Sequence, residues 1–194
     1  MELNAYLHHL YQTVDARRIS LDARKAAGFT ARGLVYGEFP SSTLLEVLAT
    51  LPLSGLGLFV DLGAGAGRLV CAAALSGQFA EVHGIELLPE LCLAARQRAE
   101  QLSRMWPDRS TRIQMIEGDL QTADLRVAEV VFAYATCFSV DTCDQIAAHF
   151  QTSPPGAWLL SVSRPLCAPH LELHKQHNIR LPWGETQIWI YRHR

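Results

Sequence analysis

The 194-residue chain carries 49% hydrophobic and 19% charged residues, with 17 basic and 19 acidic side chains giving a formal charge of −2. That length suits one domain burying ~70% of its unfolded surface, and the composition excludes a disordered chain. The charge argues against a surface coated in positive charge for indiscriminate nucleic-acid binding. No apolar run reaches the ~18–20 residues of a membrane span, and residues 1–30 lack the apolar core of a signal peptide. A soluble, cytoplasmic protein is the expectation. Cys71, Cys92, Cys137, Cys143 and Cys167 form no C-x-x-C pair and read as reduced thiols, not as a disulfide framework or a zinc ribbon.

Apolar residues at Leu3, Tyr6, Leu7, Leu10, Tyr11 and Val14 have the spacing of a helix with one buried face. A short charged helix is predicted over 20–27, ended by Gly28. Val35-Tyr36-Gly37-Glu38-Phe39-Pro40 reads as an irregular link, and Thr43 with Glu46 has capping-box spacing at the start of a helix to about Leu51. Beyond Pro52 the pattern changes. A short apolar strand over 58–62 ends in the glycine loop 63–67, and a helix follows over 68–75. Then come a strand over 81–86, a helix over 89–102, and strands over 113–117 and 130–134. A helix over 141–150 starts at Asp141, which can cap it. Strands over 157–162 and 186–192 close the chain. This alternation predicts an α/β, doubly wound, mostly parallel sheet with helices on both faces, behind a helical N-terminus.

In Asp61-Leu62-Gly63-Ala64-Gly65-Ala66-Gly67 the glycines follow a strand and open a helix, the context of a nucleotide-like ligand. Asp61, at the strand end, would repel the pyrophosphate of a dinucleotide. S-adenosylmethionine has no phosphate and carries a sulfonium and an ammonium, so the carboxylate favours it over NAD. Glu86 ends the second strand and can accept from two ribose hydroxyls; Asp119, in Glu117-Gly118-Asp119-Leu120, can accept from the adenine amine while Leu120 covers the ring. Three carboxylates at the ends of three successive strands share the edge where such sheets bind ligands.

These motifs resemble the class I S-adenosylmethionine-dependent methyltransferases, and within them the disruptor-of-telomeric-silencing family, the non-SET histone lysine methyltransferases. The resemblance runs from about Val35 to the C-terminus. Tyr36-Gly37-Glu38 is similar to the family's loop that folds over the cofactor, Gly84-Ile85-Glu86 to its ribose-binding strand end, and Glu117-Gly118-Asp119 to its adenine contact. Residues 156–169 resemble its fifth strand and exit loop, and Arg180-Leu181-Pro182-Trp183-Gly184 its aromatic turn. The resemblance implies a Rossmann-like, seven-stranded methyltransferase domain over 35–194 with a helical cap over 1–34. It also implies S-adenosylmethionine held by Tyr36, Glu38, Asp61, Gly63, Gly65, Gly67, Glu86, Asp119 and Leu120, and a protein lysine as acceptor.

The segment after the fourth strand is where this class places substrate-facing residues, and the resemblance puts Tyr134, Phe138 and Trp183 there as the catalytic set. The family has an Asn near position 134, where this chain has Tyr134 and Ala135. From the residues alone the acceptor is some nucleophile in an aromatic-lined pocket. RNA, a small molecule, or a non-catalytic S-adenosylmethionine-binding module are the alternatives. His170, His174 and His177 share the spacing of one helix face, but Pro169 and polar neighbours mark a surface connector, and no metal is expected. Arg17, Arg18, Arg24, Lys25 and Arg32 against Asp22 alone give segment 17–32 a local charge of +4, a route for nucleic acid or an acidic protein to approach.

Overall fold

The apolar run of β1 (Leu58–Leu62) is buried along its whole length because parallel neighbours flank it on both sides and helices or loops cover both faces. In the computed structural model, which describes residues 3–28, 36–107, 110–181 and 184–194, seven strands form one sheet. They are β1, β2 (Glu81–Glu86), β3 (Arg112–Glu117), β4 (Ala128–Ala133), β5 (Trp158–Val162), β6 (Leu171–Leu181) and β7 (Gly184–His193). Their order is β3-β2-β1-β4-β5-β7-β6. The first five run parallel, and β7 is antiparallel to both β5 and β6. The order reverses between β1 and β4, so the crevice expected to hold a ligand opens at the C-terminal ends of these strands.

The helices are α1 (Leu3–Tyr11), α2 (Ala16–Ala26), α3 (Ser41–Leu48), α4 (Arg68–Ser76), α5 (Pro89–Met105) and α6 (Val140–His149). Alternate residues along each strand divide the core in two. Phe59, Val82, Val130, Phe132 and Leu160 pack under α1 to α5, with Tyr6, Leu7, Leu10 and Tyr11 of α1 in the same cluster. Leu58, Val60, Val131 and Leu159 face the other way, onto Cys143, Ile146 and Ala147 of α6 and onto Phe150. Helices therefore lie on both faces as expected, but unevenly. The link between β3 and β4 has only the short 3-10 turn Leu120–Thr122.

Several boundaries differ from the sequence reading, each for a physical reason. Helix α2 starts at Ala16 because Asp15 caps it, its carboxylate accepting from the Arg18 amide at 2.9 Å. The capping box at Thr43 and Glu46 does not form: α3 begins at Ser41 behind an extended Pro40, so Thr43 is already inside the helix. Helix α6 begins at Val140 under Ser139, whose hydroxyl accepts from the Thr142 amide at 3.0 Å, and Asp141 sits in the first turn instead of capping it.

The largest correction is β6. The connector with histidines on one helix face is an eleven-residue edge strand, shifted in register between Leu173 and Lys175. His170 bonds the Ala147 carbonyl at 2.8 Å, and the His174 ring stands edge-on to Trp158 at 5.0 Å. Among the described residues no group of three His, Cys, Asp or Glu side chains comes together for a metal, and no helix is long and apolar enough to cross a membrane. Most of β6 is exposed, so polar residues occupy both faces and the alternation that marks a strand is missing.

The cap assignment has a direct check. In urea denaturation, Ser139→Ala is expected to lower stability by about 1 kcal/mol, while Thr43→Ala changes it by less than about 0.5 kcal/mol.

Candidate cofactor and acceptor site

Parallel register places the ends of the first three strands on one edge: Asp61 lies beside Gly84, Leu62 beside Ile85, and Glu86 beside Glu117. The glycine loop is tied to β2 through the Gly63 and Ala64 amides, which both donate to the Ile85 carbonyl at 2.9 Å. Glu86 then grips it from the side. One carboxylate oxygen accepts from the Gly65 amide at 2.7 Å and the other from the Leu88 amide at 2.9 Å. Burial raises the Glu86 pKa, and these amides oppose the rise by favouring the anion.

Asp61 has no such help. It is 2% exposed, and none of the described residues donates a hydrogen bond to its carboxylate. Burial, followed by the neighbouring Glu86 charge, pushes its pKa from 3.8 up to about 8. Two acids in a desolvated corner, one without a donor, form a site that a cation would complete.

The linking segment 36–40 folds onto this loop through its rings. Gly65 has φ 56°, and a Cβ there would lie 2.6 Å from Cε2 of Tyr36. A Cβ on Gly63 would lie 3.2 Å from Cζ of Phe138, and one on Gly37 2.9 Å from Cε1 of Tyr134. Phe39 sits behind them, with ring centroids 5.3 Å from Phe132 and 5.7 Å from Tyr134. The Tyr36 hydroxyl donates to Glu38 at 3.2 Å, and burial is the main cause that raises its pKa. A side chain at Gly63 or Gly65 would collide with the ring that stands on it, so these positions keep the backbone open to close approach.

Of the predicted site residues, the fold thus gathers Tyr36, Asp61, Gly63, Gly65, Glu86, Tyr134 and Phe138 at one edge, and Gly67 opens α4 with φ 79°. Glu38 and Asp119 are exposed; Asp119 accepts from the Gln121 amide at 2.9 Å, and Leu120 is half-buried behind it. Trp183 lies outside the described residues, as do Val35 and Arg32.

One feature escaped the sequence reading, and a second was met there only as part of the resemblance over residues 156–169. Arg68, the first residue of α4, lies over the Tyr11 ring, its Cζ 4.8 Å from the centroid, with a buried Nε that has no hydrogen-bond partner among the described residues. A cation in the first turn of a helix, where the macrodipole disfavours it, was the available signal. Ser163, just past β5, has φ 69°, a left-handed conformation that costs a non-glycine residue about 1–3 kcal/mol. Its hydroxyl meets Thr136 at 2.7 Å and Thr186 at 3.0 Å. Nothing in the order of residues announces that meeting, because the three come from distant segments.

Residues 16–181, from α2 to the end of β6, match the model of the family described as Histone methylation protein DOT1. The chain belongs to the DOT1 family. A histone-lysine N-methyltransferase of Chaetomium globosum, H3 lysine-79 specific, is 27% identical over 164 residues, covering 80% of this chain and 31% of that protein. The chain thus spans about a third of that relative's length. Among solved structures, a Salinibacter ruber RNA methyltransferase in complex with S-adenosyl-L-homocysteine superposes with a TM-score of 0.63 at 23% identity, covering 80% of this chain and 93% of that one. A tRNA methyltransferase of B. subtilis gives 0.60 at 13% identity, covering 82% and 67%. These two likenesses speak for the fold alone, the Rossmann-like architecture that the two methyltransferases share with this chain. S-adenosylmethionine is the cofactor of this DOT1-family chain, and the glycine cradle with its donorless carboxylate fits that cation.

A pKa of about 8 for Asp61 sets two expectations. Between pH ~4 and ~8 the native state holds a proton that the unfolded chain has released, so this group's contribution to stability falls as pH rises through that window. Asp61→Asn removes that loss, and the cofactor-free variant is expected to melt at a higher temperature than the parent at pH 8.5. Calorimetric titration should show the opposite for function. S-adenosylmethionine affinity in the parent rises with pH toward 8, and the variant binds ~10–100-fold more weakly, the worth of a hydrogen bond to a charged group.

Proposed function

We propose that the protein methylates a lysine side chain of another protein, using S-adenosylmethionine. The observation that carries the methyl-transfer reading is the buried, donorless Asp61 carboxylate beside the glycine loop. Membership of the DOT1 family and the name of the Chaetomium globosum relative support the choice of lysine. The cofactor, when bound, supplies a methyl group on a positively charged sulfur.

The chain's own work is to bind, align and exclude water. Asp61 and Glu86 would hold the cationic and ribose ends, with Gly63, Gly65 and Gly67 as the cradle beneath. Asp119 and Leu120 would take the adenine, and Tyr36 and Glu38 would close over it. Tyr134 and Phe138 would form the apolar mouth through which the acceptor enters, with Trp183 joining them on the strength of the resemblance. An apolar mouth lowers the pKa of an entering lysine amine by desolvation, which frees its lone pair. Tyr134 stands where the resembled family has an Asn, and it offers a hydroxyl or a π face to the amine in place of an amide.

Residues 1–34 serve, in this reading, as a helical cap on the domain over 35–194. Arg17, Arg18 and Lys25 are exposed on α2, although Arg18 is paired with Asp22 at 2.6 Å. They would steer an acidic protein surface or nucleic acid toward the site. The five unpaired thiols fit a reducing compartment, and on that ground we place the protein in the cytoplasm.

Incubation with radiolabelled S-adenosylmethionine and, in parallel, core histones, transfer RNA and free lysine should put label into a histone lysine. Label in RNA alone would overturn the lysine assignment. Tyr134→Ala is expected to lower kcat/KM for the labelled acceptor at least ~10-fold while the S-adenosylmethionine Kd stays within about twofold.

A further inference from the structure

We propose that the hydroxyl cluster of Thr136, Ser163 and Thr186 is the polar grip for the acceptor nitrogen, a positioning site that the sequence motifs do not mark. It rests on the lysine reading above and adds the groups that would orient the amine.

The position of the cluster is the first argument. Thr136 follows β4 by three residues and Ser163 follows β5 by one, so both stand at the C-terminal edge of the sheet that carries Gly63 and Tyr134. Antiparallel β7 supplies the third member. It pairs Ile188 with Val162 and runs past the end of β5, so Thr186 stands beyond the edge and reaches back to Ser163 at 3.0 Å. Thr136 sits in the turn Ala135–Cys137, between Tyr134 and Phe138, the two rings of the acceptor mouth.

The second argument is the strain at Ser163. Among the described residues it is the one non-glycine with a left-handed φ, and the surroundings hold it there. The Ser163 amide donates to the Gln187 carbonyl at 2.8 Å, and the Ser161 hydroxyl donates to the Arg164 carbonyl at 2.7 Å, closing the turn. Backbone strain of this kind gathers at sites where a side chain must be aimed. Glycine would remove the strain, but it would also remove the hydroxyl.

The third argument is hydrogen-bond arithmetic. Three hydroxyls hold three hydrogens. Thr186 donates one to Ser163, and Ser163 and Thr136 share a second, so one hydrogen and several lone pairs are left without a partner among the described residues. All three residues are half-buried and not sealed in the packed core. The surplus is mostly acceptor capacity. That matches a neutral primary amine, which brings two N–H donors and keeps its lone pair directed at the methyl group. A carbonyl or phosphate oxygen would find a single donor there.

The test uses the full-length protein with core histones and radiolabelled S-adenosylmethionine. Thr136→Val and Thr186→Val delete a hydroxyl while keeping shape, and Ser163→Gly deletes the central one while relieving the strained φ. Each is expected to lower kcat/KM for the histone ~10–100-fold, the loss of a hydrogen bond to a charged or charging group, with S-adenosylmethionine Kd within about twofold. Thr136→Ser and Thr186→Ser should restore at least half the activity, which a purely packing role would not require. Parent-level turnover in the Val and Gly variants would sink the proposal and leave the lysine reading intact.

A second measurement separates the two. Nα-acetyl-lysine methylamide titrated into the protein saturated with S-adenosyl-L-homocysteine should shift the Thr136, Ser163 and Thr186 amide resonances saturably, and Ser163→Gly should abolish the effect. Those shifts in a protein that does not label histones would uphold the grip and overturn the protein substrate. Shifts confined to other residues would overturn the grip.

Discussion

The carboxylate of Glu86 joins the two turns that make the cofactor crevice. It takes one amide from the loop between β1 and α4 and another from the start of α5. Two helices that must splay to leave a crevice are thereby pinned at their bases. The same corner explains the tight packing behind it, where a Cβ on Gly67 would lie 2.9 Å from the Cβ of Ala95 on α5. Burying a carboxylate is costly, and for Glu86 two backbone donors offset it. Asp61, one strand away, has none among the described residues. The two neighbouring acids are thus treated unequally: the Glu86 carboxylate is tied to backbone amides, and the Asp61 carboxylate is not.

Aromatic residues from non-adjacent segments then define what may approach. Tyr36 stands on Gly65, Phe138 on Gly63 and Tyr134 on Gly37, so each ring meets a position without a side chain. Phe39, fully buried against Phe132, anchors the short segment that carries Tyr36 and Glu38. The β5–β7–β6 side of the sheet is built differently. There the sheet turns from parallel to antiparallel, and the β6–β7 hairpin overhangs the edge that the other strands respect. The Thr186 hydroxyl from the overhang meets Ser163 after β5, which in turn meets Thr136 after β4, giving a polar patch close in the chain to Tyr134 and Phe138.

Much of the scaffold could be read in advance. The run over 58–62, the glycines after it and the strand over 81–86 appear where the residues placed them, because a parallel strand buried on both faces must be continuously apolar and the following turn must have glycine. Asp61 and Glu86 were identifiable from their places at strand ends. Where local signals compete, the reading slipped. Thr43 and Glu46 have the spacing of a cap, but Pro40 had already set the helix start. Ser139 and Asp141 are both good caps two residues apart, and packing of Ile146 and Ala147 chose the register that uses Ser139.

The sequence by itself determined the class of fold and the strand ends at which Asp61 and Glu86 stand, since each depends on residues close together in the chain. Only the tertiary structure decided that β6 is a strand, because an exposed edge strand owes its conformation to hydrogen bonds with β7 and not to any pattern of its own. It alone decided that Asp61 holds a proton near neutral pH, a consequence of burial and of a second charge brought in from another strand. And it alone assembled Thr136, Ser163 and Thr186, whose meeting depends on a strand reversal fifty residues downstream of the first of them.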